Sequence, residues 1–207
     1  MSKESQFYVS SQEKKETVQK PAVIVMRVDL DSTLTHAKYP HGILHHIGES
    51  PVHLFTQPID GAVAGLQQIS EQNDVVFGGI ATARIKYLQG YTKLGVERHF
   101  GPMEIAYASR NFTKKITNLL DFAENQSKQY QVSRTVLIDD ESDAIYQAIK
   151  KLAQIDYNRE RMRAYGLTYV AFNPRTKNAF EMLPVDFMQL NNWSSDSVSE
   201  LLEKLRK

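Results

Sequence analysis

The stretch VDLDSTLT, residues 28–35, decides how this chain is read. The apolar run PAVIVMRV (21–28) leads straight into it, broken only by Arg27. Bounded by Pro21 and by the Asp-Ser-Thr cluster, Ala22–Val28 predicts a fully buried strand of the parallel type. A core strand has no use for carboxylates at its end. If the strand geometry continues, Asp29 and Asp31 point the same way. Two like charges held that close drive one pKa up unless a cation joins them.

The pattern repeats along the chain. VVFGGIA (75–81) is a second apolar run and ends in Thr82-Ala83-Arg84; MEIAYAS (103–109) is a third strand. TVLI (135–138) ends in DDESD, and LTYVAF (167–172) ends in Asn173-Pro174. Helical spacing separates these runs. It covers 59–72 through Ala62, Leu66 and Ile69, and 112–128 through apolar residues at 112, 116, 119, 120 and 123. Further helices are expected over about 84–94, from about 142 into the charged stretch NRERMRAYG with Gly166 as C-cap, and in the closing SVSELLEKLRK, capped by Ser195 or Asp196. Strands alternating with helices imply a three-layer α/β/α sandwich with a central parallel sheet. Ligands of such sheets bind at the carboxyl ends of the strands. Three of those ends deliver Asp29 and Asp31, Thr82 and Arg84, and Asp139, Asp140 and Asp143 to one edge.

Composition limits the function classes. The 207 residues suit one domain over 21–207, preceded by a polar tail over 1–20 in which FYV has strand character. With 25 basic against 24 acidic residues the net charge is +1, which gives no electrostatic case for nucleic acid or an anionic membrane. There is no cysteine, hence no disulfide and no thiolate metal site. No apolar run approaches the roughly 20 residues of a membrane helix, and the N-terminus lacks a secretory signal. These features read as a cytoplasmic protein.

Clustered carboxylates at one edge become tolerable when a hard cation joins them. Mg²⁺ takes about six oxygens, using one or two carboxylates plus substrate phosphate and water. Asp29, Asp139 and either Asp143 or its rival Asp140 are the candidate ligands, with a further oxygen from the chain at Asp31. An ionised carboxylate beside the cation is a nucleophile for phosphoryl groups. A second carboxylate two residues on can protonate the leaving oxygen and then activate water. The Thr82 hydroxyl, the backbone N–H groups after Asp29, and a nearby lysine can hold phosphoryl oxygens.

VDLDSTLT resembles the first motif of the haloacid dehalogenase-like (HAD) superfamily, an apolar strand followed by Asp-x-Asp-x-Thr. The Ser32 variant is similar to that of phosphoserine phosphatases. GGIATAR is similar to the second motif, and TVLIDDESD to the fourth, with Ile138 where Gly often stands. Lys114 and Lys115 both fall in the interval for the third-motif lysine. The resemblance spans about 21–175. It implies Asp29 as nucleophile and Asp31 as general acid/base. Thr82 and the lysine would bind the phosphoryl group. Ser32 and Thr33 are further candidate substrate contacts, and Arg84 either clamps a substrate phosphate or is a solvated first-turn residue. Asp139 with Asp143 or Asp140 would hold Mg²⁺. Asp31 favours phosphoryl transfer over halide displacement. Residues 35–58 are too few for a helical cap, so the resemblance implies a capless member. Such members have open sites that take phosphorylated small molecules or macromolecules, or that a partner subunit closes. Two alternatives stand beside a phosphatase: a phosphotransferase or mutase using the same intermediate, and a catalytically idle binding protein of the same fold.

Five of the six histidines, His36, His41, His45, His46 and His53, lie in the 36–53 segment. Their spacing matches no standard zinc pattern. The segment reads instead as a polar loop over the site, where His36 or His46 meets substrate.

Overall fold

Each apolar run becomes a strand because it can be buried on both faces. The computed structural model describes residues 20–36, 57–84, 86, 89–174 and 180–207. The tail with FYV, and His41, His45, His46 and His53, lie outside the described residues. Six parallel strands form one sheet: β1 (Ala22–Val28), β2 (Val75–Thr82), β3 (Ile105–Tyr107), β4 (Gln131–Asp139), β5 (Leu167–Phe172) and β6 (Asp186–Leu190). Their order is β3-β2-β1-β4-β5-β6. Six α-helices are described: α1 (Ala62–Ser70), α2 (Gln89–Phe100), α3 (Phe112–Gln126), α4 (Ser142–Ala153), α5 (Asp156–Ala164) and α6 (Ser195–Leu205). No further domain occurs among the described residues.

Alternation along β1 sorts the layers. Ile24, Met26 and Val28 pack with Leu66 and Ile69 of α1, Val96 of α2 and Leu201, Leu202 and Leu205 of α6. On the opposite face, Val23 and Val25 pack with Ala123 of α3. There Leu137 and Tyr169 join α3, α4 and α5 through Leu120, Ile149 and Met162. Helices thus cover both faces, the arrangement a two-sided apolar strand demands.

Several expectations are corrected. The second helix is described over Gln89–Phe100 and so runs past the expected end at about 94, and Arg84 lies in a bend before it, its N–H donating to the Thr82 hydroxyl at 3.2 Å. The helix from 142 is two helices, broken at Gln154–Ile155, where Ile155 is extended (φ −101°, ψ 115°). The apolar stripe of α4 ends at Leu152, and only the break returns Met162, the buried residue of α5, to the core. Gly166 follows α5 in the left-handed conformation (φ 53°), as the C-cap reading requires. The last helix is capped by Ser194, whose side chain accepts from Ser197 N, and not by Ser195 or Asp196. Strand β3 has three residues rather than seven. Strand β6 was not anticipated, since a half-buried edge strand carries no continuous apolar run.

Candidate active site

The strand order reverses between β1 and β4, which lead to β2 and β5 on opposite sides. Crevices at such switch points, beyond the carboxyl ends of the strands, bind ligands in open α/β sheets. Asp29 directly follows β1, and Asp139 is the last residue of β4. Asp29 N donates to Ile138 O at 2.8 Å, which ties the two strand ends together. By alternation both side chains continue the face that carries Leu137 and is covered by α3. From α3 comes Lys115, 1% exposed. Its ammonium donates to Asp29 Oδ1 and, at 2.5 Å, to Asp139 Oδ2.

Asp139 is fully buried and firmly held. Its Oδ1 accepts from Glu141 N at 2.9 Å. Its carbonyl accepts from the Tyr169 hydroxyl at 2.9 Å, and that hydroxyl lies 3.1 Å from Ser142 Oγ. Asp140 Oδ1 accepts from the Thr33 hydroxyl at 3.2 Å. One carboxylate oxygen each from Asp29, Asp139 and Asp140 lies within 4.8 Å of the others. Asp143, exposed in the first turn of α4, is not part of this cluster. Lys114 is exposed, and its backbone N–H donates to the Asn111 cap of α3.

The remaining predicted residues border the cluster. Asp31 accepts both arms of the Arg84 guanidinium, with Nε at 2.9 Å and Nη2 on the other oxygen. Arg84 is itself buried and also reaches Thr92 Oγ1 at 3.4 Å. Thr82 is buried at the end of β2. Thr33 is buried, with its hydroxyl on Asp140. Ser32 takes a left-handed conformation (φ 57°) in the turn closed by Ser32 N to Thr35 O at 2.9 Å. His36 is exposed at the end of this loop.

Two buried carboxylates, Asp29 and Asp139, and the half-buried Asp140 share one ammonium, which bonds the first two, so full ionisation leaves a formal excess of two negative charges (three less one). Burial works against the Lys115 ammonium, but the Asp139 and Asp29 charges outweigh it and raise its pKa. The excess shows on the acids. Burial first, then the Asp139 and Asp31 charges, hold Asp29 well above the usual carboxylate range against the pull of Lys115. Burial first, then the Asp139 and Glu141 charges, push Asp140 up to about 7. A hard divalent cation would cancel this excess. The donor set fits one, because all three donors are carboxylate oxygens, the chemistry of Mg²⁺ and its like rather than of a soft metal. Asp29 Oδ2 and Asp140 Oδ2 accept no hydrogen bond among the described residues and have lone pairs to offer.

Against known proteins, the chain matches no protein-family model and no curated protein. Fold and site together define a parallel α/β protein with a buried acidic cluster suited to a metal ion. No described helix is long and apolar enough to cross a membrane.

Proposed function

We propose that the chain is a Mg²⁺-dependent phosphomonoester hydrolase of the HAD type, acting through an aspartyl-phosphate on Asp29. The observation that carries this is the trio of aspartates at the switch point of the sheet, two of them, Asp29 and Asp139, bridged by Lys115. Asp29, Asp139 and Asp140 would hold Mg²⁺, which when bound supplies charge neutralisation for the phosphate and the nucleophile. The Asp29 carboxylate is the attacking group, held at Oδ1 by Lys115. Lys115 fixes the angle of that carboxylate and offsets charge growing on the phosphoryl oxygens. The Thr82 hydroxyl holds one of those oxygens. Asp31 gives a proton to the leaving oxygen and later takes one from the attacking water. Its bidentate pairing means that Arg84 must yield when substrate arrives, which makes Arg84 a natural contact for the incoming phosphate.

The test is hydrolysis of an aryl phosphate with and without Mg²⁺. Native protein turns over only with the metal, and Asp29→Asn loses at least about 10³-fold, the scale expected when a nucleophile is removed. Turnover that survives chelation, or survives this substitution, contradicts the proposal.

A further inference from the structure

We infer that Trp193 is a positioning residue for the acidic cluster, acting through Thr33 on Asp140. The inference rests on the metal reading of that cluster. Trp193 is the single tryptophan of the chain and is 1% exposed. It lies between β6 and α6, and its indole N–H donates to Thr33 O at 2.7 Å. The hydroxyl of the same Thr33 donates to Asp140 Oδ1. The indole therefore grips the peptide of the residue that orients the third carboxylate.

The grip is rigid. The indole stacks on Phe172, the last residue of β5, with ring centroids 5.7 Å apart and planes at 26°. The start of α1 closes on the other side. A Cβ at Gly61 would meet Trp193 O at 2.6 Å, and one at Gly65 would meet indole Cε3 at 2.8 Å. Packing thus fixes the direction of the N–H, and a buried indole N–H needs an acceptor. Thr33 O supplies it, so the turn after Asp31 is anchored to the segment between β6 and α6. Partners that orient a ligating carboxylate typically change metal affinity 10–100-fold when removed.

In ¹⁵N-labelled native protein the indole N–H gives one resonance. Titration with Mg²⁺ is expected to shift it along the same binding curve as the backbone resonances of Asp139–Ser142. By calorimetry, Trp193→Phe is expected to weaken Mg²⁺ binding about 10-fold, as is Thr33→Val. In the Thr33→Val background, Trp193→Phe costs little more, because the hydroxyl through which it acts is gone. A purely structural tryptophan would give additive losses, and that result overturns the inference. So does an indole resonance that stays still while Mg²⁺ binds, a measurement that holds even if Trp193→Phe fails to fold. Absence of Mg²⁺ binding to native protein would overturn this inference and the proposed function together. Binding that leaves the indole unmoved overturns this inference alone.

Discussion

At the scale of single residues, Asp140 has the property that is easiest to follow in solution. Its carboxyl is raised from 3.8 to about 7 in the folded protein by burial and by its acidic neighbours. Between those values the folded state binds more protons than the unfolded one, so this group makes the metal-free protein less stable as pH rises toward 7. A metal must find the carboxylate ionised and so displaces its proton. Asp140 is expected to release more proton per Mg²⁺ at pH 6 than at pH 8. Calorimetry in buffers of different ionisation enthalpy measures this, and equal release at both pH values contradicts it. Two choices that the motifs left open were partly legible in helical phase. Lys115 is on the buried stripe of α3 with Ile116, Leu119 and Ala123, while Lys114 is off it. Asp143 is likewise off the stripe of α4 formed by Ser142, Ile145, Ile149 and Leu152. Trp193 gave no such signal, because its partner Thr33 is distant in sequence and only the closed fold brings them together.

At the scale of elements, the end of β2 shows how the backbone places Thr82. Gly79 takes φ 77° inside the strand, at the point where the β1–β2 register shifts between Met26 and Val28. A Cβ there would stand 2.2 Å from Glu104 O, which accepts from Ile80 N at 2.9 Å. Gly101 has a similar φ of 80° but nothing within 4 Å of its Cβ direction. Gly101→Ala therefore costs only the left-handed strain, about 1 kcal/mol. Gly79→Ala adds a clash with backbone and is expected to cost at least about 3 kcal/mol. Urea unfolding of the two variants compares them, and equal losses would refute the steric part of the argument. Strands buried on both faces were readable as apolar runs, as Leu167–Phe172 shows. The elements that were misplaced had mixed faces. Helix α2 buries only Thr92, Gly95 and Val96, and β6 is exposed at Asp186 and Gln189, half-buried at Phe187 and Met188 and buried only at Leu190.

At the scale of the whole molecule, a near-neutral chain concentrates its buried acids at one edge of the sheet. The parallel topology makes this possible, because every strand delivers its carboxyl end to the same side. Asp29 and Asp139, 110 residues apart in sequence, become neighbours because β1 and β4 pair in register. The order of strands was not legible, since it depends on how the crossovers pack rather than on any local pattern. The acidic strand ends were legible, and they predicted that the ends meet. Asp29 should become phosphorylated once substrate is there. Asp31→Asn should slow release of the phosphoryl group more than its arrival, so the intermediate accumulates. This variant, mixed with an aryl phosphate and Mg²⁺ and quenched in acid, should carry one acyl phosphate, mapped by mass spectrometry to Asp29. An acyl phosphate on another residue, or turnover through a direct attack of water with Asp29 never modified, would contradict the account.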